Sequence, residues 1–277
     1  MLLRLLKSLL RGTAHGGALA ADEYPVVRQE RMKQAHARAP LDEHLAILYG
    51  DLRMCGERLA DLVDDCIARS GTRLPPLKTL HRPLASYFLI RYYLHALGLE
   101  GARAECGVFQ GTSSLILCRA ARARDASHDG TGMHLVDSFE GLSAPGTADQ
   151  FPVPGANGAP ARETVPQNGF AGSLEAARSA LRDFPGVTFH RGWIPDVFAQ
   201  LPESRWSFVH VDVDLYEPTY ACLDYFYPRL SRGGVIICDD YGSAVFPGAS
   251  RAWNRYCDER GARYVVLDTG QSVILGP

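Results

Sequence analysis

Charge of neither sign dominates this sequence: 29 Lys and Arg stand against 31 Asp and Glu, a formal net charge of −2 over 277 residues. Without a positive surplus there is no long-range attraction to a polyanion, so no nucleic-acid partner is expected. Paired cysteines are lacking too. The seven cysteines are odd in number and scattered, with no C-x-x-C pair and no histidine at zinc-finger spacing, which points to a reducing, cytoplasmic setting. Cys106 and Cys238 sit inside apolar runs, where a thiol behaves as a small buried hydrophobe rather than a reactive group. There is no internal repeat.

A membrane-spanning run is missing as well. Leu2, Leu3, Leu5, Leu6, Leu9 and Leu10 fall in helical rhythm, but Arg4 and Lys7 interrupt them. The same charges deny a secretory signal its unbroken apolar centre, although Ala18-Leu19-Ala20 resembles a cleavage site. Residues 1–11 read as a basic amphipathic helix able to touch an anionic membrane surface peripherally. Packing on its own domain or on a second subunit is the commoner fate of such a helix, and a homo-oligomer is expected. Residues 12–22, rich in Gly and Ala, read as a flexible joint. Residues 28–69 read as two or three helices, and Leu74-Pro75-Pro76 breaks the pattern. The expected division is therefore an amino-terminal helical extension, 1–75, and a main domain, 76–277.

What is present in the main domain is alternation. After a helix over 84–97, short apolar runs at 104–109, 133–136, 187–190, 208–213, 235–238, 264–267 and 272–275 alternate with helical stretches at 112–123, 174–184, 220–230 and 249–260. That order predicts an α/β fold with a doubly wound, mostly parallel Rossmann-like sheet. In such sheets ligands gather at the carboxyl ends of the strands, and the polar residues of interest fall there. The insert 143–172, full of Gly, Pro and Ala, is too long for a plain connection and reads as a lid or substrate wall.

Glu105-Cys106-Gly107-Val108-Phe109-Gln110-Gly111 leaves a strand and enters a helix at Thr112. Its glycines permit close backbone approach and the helix offers free N–H groups. It is not the G-x-G-x-x-G of dinucleotide enzymes, because Phe109 stands at the second glycine. An acid before spaced glycines suits a ligand with a cationic amino or sulfonium group; the plain alternative is a tight turn. Asp137, followed by Ser138, ends the next strand, where a carboxylate commonly accepts from both ribose hydroxyls of a nucleoside or else caps the following turn. Gly192 and Trp193 follow the third strand, where the indole would either stack on adenine or cover core.

His210-Val211-Asp212-Val213-Asp214 and Asp239-Asp240 place four carboxylates at the ends of two strands expected to be neighbours. They would repel unless something positive sat among them, and a hard divalent cation such as magnesium is the natural candidate. Asp212 and Asp214 share strand parity, so one could hold metal while the other reaches a substrate proton. His210 is an alternate base, although the same parity allows it a packing role. The plain alternative has Asp239 or Asp240 capping a turn and Asp214 capping a helix beginning near Glu217.

Together, E-C-G-V-F-Q-G, V-D-S-F-E-G-L, H-V-D-V-D-L-Y-E-P-T and G-G-V-I-I-C-D-D-Y-G resemble the macrocin O-methyltransferase family over residues 76–277. The resemblance implies a seven-stranded class I methyltransferase sheet with a reversed final hairpin. It implies S-adenosylmethionine as donor and Mg2+ held by Asp212, Asp239 and Asp240, with Asp214 as general base. The donor set expected here is Glu105, Gly107, Gly111, Thr112, Asp137, Ser138, Gly192, Trp193 and Asp212. The expected acceptor is a hydroxyl on a small, glycosylated molecule, with a catechol or phenol as the alternative. Outside that class stand a nicotinamide-dependent oxidoreductase, which the Phe109 position disfavours, and a non-catalytic binding protein, which would need no clustered carboxylates.

Overall fold

Residues 53–54, 56–72, 81–154 and 160–277 are described by the computed structural model. A short hairpin, β1 (Arg53–Met54) and β2 (Glu57–Arg58), leads into helices α1 (Leu59–Ser70) and α2 (His81–Ala96). Then come β3 (Ala102–Cys106), α3 (Thr112–Arg124) and β4 (Met133–Asp137). The insert contributes the hairpin β5 (Phe151–Pro154) and β6 (Pro160–Glu163), followed by α4 (Leu174–Ala180), β7 (Thr188–Arg191) and β8 (Trp206–Val211). The chain finishes with α5 (Tyr216–Phe226), β9 (Leu230–Cys238), α6 (Pro247–Arg260), β10 (Tyr264–Val266) and β11 (Ser272–Leu275).

The main sheet has seven strands in the order β10-β11-β9-β8-β3-β4-β7. The pairs from β9 through β7 are parallel, whereas β11 runs antiparallel to both β9 and β10. Parallel strands need both faces covered, and the central β8, Trp-Ser-Phe-Val-His-Val, is buried at every residue. A register shift between Trp206 and Phe208 puts these two rings on opposite faces, as a β-bulge does. Phe208 joins Tyr93, Leu115 and Ile237 beneath α1, α2 and α3, and Trp206 joins Phe226, Trp253 and Tyr256 beneath α5 and α6.

Helix α1 buries Leu59, Leu62, Val63 and Cys66, one stripe at helical spacing, and stops at Gly71, whose φ of 68° supplies the left-handed cap. Its stripe enters the same core as α2, α3 and α4, although these residues fall before the expected boundary at 75. The expected amphipathic helix at 1–11, the joint at 12–22 and the Leu74-Pro75-Pro76 break lie outside the described residues. The helix expected at 220–230 starts four residues earlier, at Tyr216, and the strand expected at 235–238 starts at Leu230. Ser231-Arg232-Gly233-Gly234 has no apolar rhythm, so only pairing with its neighbours makes it strand.

The insert is less irregular than its composition suggests. Leu142, Phe151, Val153 and Val165 form a small core with Leu215. The buried Asp149 reaches out of the insert: Oδ1 accepts the Tyr216 N–H at 2.7 Å and Oδ2 the Gly146 N–H at 2.8 Å. Gly248 of α6 leaves the space Asp149 occupies, since a Cβ there would run into its carboxylate. The described part of the insert is thus a wall fixed to the amino end of α5.

Phe208 is fully buried in the central strand and edge-packed on Tyr93, with ring centroids 5.2 Å apart. Phe208→Ala is expected to destabilise the domain by about 3–5 kcal/mol, read as a lowered urea midpoint at unchanged slope.

Candidate active site

The carboxyl ends of β3, β4, β8 and β9 open into a cavity of about 370 Å³, with α1, α2 and the insert on its other sides. Gly107 stands at the crossing of β3 and the segment after β8. Its φ is 87°, and a Cβ would collide with the Asp212 carbonyl, so the glycine serves close approach between two backbones. Phe109, where a dinucleotide enzyme carries glycine, itself takes a positive φ of 50°.

Asp137 faces the cavity, but its carboxylate is largely committed. Oδ2 accepts from the N–H groups of Val108 and Phe109 at 2.6 and 2.8 Å, and Oδ1 from Phe139 N–H at 2.6 Å. A carboxylate has about four lone-pair sites, so one is left for a ligand. The turn-capping role weighed for Asp137 is therefore present, through the Phe139 N–H. Ser138 also borders the cavity, its hydroxyl tied to Gly141 and Glu140. Gly192 and Trp193 line the same cavity, and Trp193 is 37% exposed, so part of its indole is open to a ligand.

Two expected donor contacts are not on the cavity wall. Gly111 packs against Ala177 and Leu181 at the start of α3. Glu105 is 1% exposed, hydrogen-bonded to the Ser114 hydroxyl and, at 3.0 Å, to His210 Nδ1. Its position in the middle of a buried parallel sheet places it behind the site rather than in it. His210, also 1% exposed, reaches Asp239 Oδ1 from Nε2 at 3.4 Å, so both ring nitrogens are engaged. Thr112 does line the cavity, and its hydroxyl meets those of Ser70 and Thr72 at 2.8 and 2.7 Å.

The aspartates converge. Potential ligand atoms of His210, Asp212 and Asp239 lie within 4.8 Å of one another, as do those of Asp212, Asp214 and Asp240; Asp212 belongs to both groups. The reason differs from the expected strand parity. β8 ends at Val211, and Asp214 takes a left-handed φ of 62° in a tight turn where Leu215 N–H reaches Val213 C=O at 2.6 Å. Nor does Asp214 cap the following helix, because Asp149 does. Parallel pairing of Val211 with Cys238 brings Asp239 and Asp240 alongside.

Burial and then the neighbouring carboxylates push Asp212 and Asp214 well above the usual carboxylate range and Asp240 up to about 7. Asp239 goes the other way. Burial opposes its ionisation, but hydrogen bonds from His210 and Gln271 and the His210 charge together hold it low. The set is acid-rich and oxygen-bearing, which fits a hard cation.

Sequence reasoning missed three contributors. Ser70 and Thr72 precede the strand-helix pattern, and Gln271, whose Nε2 donates to Asp239 Oδ1 at 2.7 Å, sits in a polar turn with no motif. Only the strand register could have pointed to Gln271.

The strand order, the reversed last hairpin and the cavity at the strand ends define a Rossmann-like class I methyltransferase fold. Residues 92–269 match the family described as macrocin-O-methyltransferase (TylF), and the chain belongs to that family. It is 36% identical over 153 residues to the 8-demethyl-8-(2,3-dimethoxy-alpha-L-rhamnosyl)-tetracenomycin-C 4'-O-methyltransferase of Streptomyces olivaceus, covering 52% of this chain and 54% of that protein. The chain spans about half the length of the curated relatives it matches. The solved O-methyltransferase NovP shares the fold at TM-score 0.57 and 21% identity, covering 83% of this chain and 93% of its own. So does the S-adenosylhomocysteine-bound Podospora anserina methyltransferase PaMTH1, at TM-score 0.51 and 15% identity, over 95% and 100% of the two chains.

A carboxylate whose pKa is higher folded than unfolded binds more protons in the native state. Its contribution to stability therefore falls as pH rises between the two values. For Asp240 that window runs from 3.8 to about 7. In chelator, Asp240→Asn is expected to flatten the decline in melting temperature between about pH 4 and pH 7, measured by scanning calorimetry.

Proposed function

We propose that this chain moves a methyl group from S-adenosylmethionine to a hydroxyl of a small, sugar-bearing acceptor, with Mg2+ held by Asp212, Asp239 and Asp240. The observation that carries the reading is one cavity lined both by Gly107, Asp137, Gly192 and Trp193 and by Asp212, Asp214 and Asp239 of the acidic groups. The first set offers a nucleoside the Asp137 carboxylate, a backbone edge and an exposed indole. The rhamnosyl group in the name of the Streptomyces olivaceus relative supports a sugar acceptor.

Asp214 is the residue placed to take the acceptor's proton. It lines the cavity and lies with Asp212 and Asp240, so a hydroxyl held there meets a carboxylate able to accept its proton. His210 is less suited because Glu105 and Asp239 occupy its nitrogens. When bound, a divalent cation polarises the acceptor hydroxyl and offsets the repulsion among the aspartates. The acceptor oxygen gives its proton to Asp214 and forms a bond to the donor methyl carbon as the carbon–sulfur bond breaks, leaving neutral S-adenosylhomocysteine. The insert wall and Asp149 keep acceptor space and base in fixed relation, and positioning of this kind lowers the barrier entropically.

Calorimetric titration of S-adenosylmethionine, with Mg2+ and then with chelator, is expected to show saturable binding; none in either condition would remove the donor assignment. Asp214→Asn is expected to lower turnover of a glycosylated acceptor by roughly 10²–10⁴-fold while leaving donor binding intact. Full turnover in that variant would take Asp214 out of the mechanism.

A further inference from the structure

The proposed mechanism leaves unused a buried amide that lies just beyond the stretch matching the family. Ser272, the first residue of β11, pairs with Cys238 at the end of β9. In an antiparallel pair the next residues outward, Gln271 and Asp239, therefore face each other. Gln271 is 2% exposed, and its Nε2 donates to Asp239 Oδ1 at 2.7 Å.

The amide is not free to turn over. Thr269 Oγ1 donates to Gln271 Oε1 at 2.9 Å, which keeps the carbonyl away from the carboxylate and the NH2 towards it. The turn carrying both residues is closed by Leu267 N–H to Gln271 C=O and Gly270 N–H to Leu267 C=O, each 2.9 Å. It is tied to the loop after Asp240 by Gly242 N–H to Gly270 C=O at 2.7 Å. The two backbones are so close that a Cβ on Gly242 would collide with Gly270. From the opposite side His210 Nε2 points at the same Asp239 oxygen at 3.4 Å, itself backed by Glu105.

We propose that Gln271 is a positioning residue for the cation site: with His210 it commits Asp239 Oδ1 and so presents Oδ2 to the metal. The inference rests on the cation reading above and names the residues that aim its ligand. An amide suits the task because it donates to a carboxylate without bringing a charge. A lysine there would substitute for the cation instead. Outer hydrogen bonds of this kind orient metal ligands, and losing one typically weakens metal binding roughly 10–100-fold.

The test is calorimetric titration of Mn2+ into the whole protein, beside titration of S-adenosylhomocysteine in chelator as a check on the fold. Gln271→Met, close in length but without a donor, is expected to weaken Mn2+ by roughly 10–100-fold with S-adenosylhomocysteine affinity unchanged. Thr269→Val leaves Gln271 in place and frees its amide, so it is expected to weaken Mn2+ in the same direction by less. It decides the matter if Gln271→Met does not fold. Equal Mn2+ affinity in wild type and the folded variants would overturn the role of Gln271 and leave the cation reading standing. A wild-type protein that binds S-adenosylhomocysteine but no Mn2+ would overturn the cation reading and this inference with it.

Discussion

Four aspartate carboxylates held in one small volume repel one another, and much of the surrounding structure follows from where that repulsion is tolerated. Asp212 and Asp214 leave the end of β8, Asp239 and Asp240 the end of β9, and the parallel pairing of those strands forbids them from spreading apart. The protein answers unevenly. Asp239 receives His210 and Gln271 and stays ionised, while Asp212, Asp214 and Asp240 are left with raised proton affinities. One carboxylate is thus fixed as an anion and the others are poised to gain either a proton or a cation.

The supports of that cluster come from far along the chain. Glu105 lies on β3, Gln271 on the final turn and Asp149 in the insert; Glu105 bonds His210 of β8, Gln271 bonds Asp239 just after β9, and Asp149 bonds the first residue of α5, which follows the Asp214 turn. Glu105 and His210 sit on adjacent strands at paired positions, so their contact is a direct product of β3–β8 register. The reversed hairpin does more than complete the sheet. Running β11 antiparallel to β9 turns the end of one strand towards the start of the other and brings Gln271 to Asp239. A parallel strand in that place would begin at the opposite edge.

The sequence by itself determined the alternation of strands and helices, hence the doubly wound sheet, because apolar periodicity and glycine-rich breaks act locally. It also determined that the polar residues fall at strand ends, and so that the aspartates of two motifs would meet. Its motif pattern was enough to recognise the family. What only the tertiary structure decided is which face each of those residues serves. Glu105 reads as a ligand-facing acid from its place before Gly107, yet strand register turns it towards His210 and away from the cavity. Asp137 reads as a free acceptor, yet the turn it borders takes three of its lone pairs. Ser70, Thr72, Asp149 and Gln271 carry no motif, since their roles depend on partners 42, 40, 67 and 32 residues away. Local pattern encodes elements; which side chains meet is set by strand register and chain crossings that no window of sequence contains.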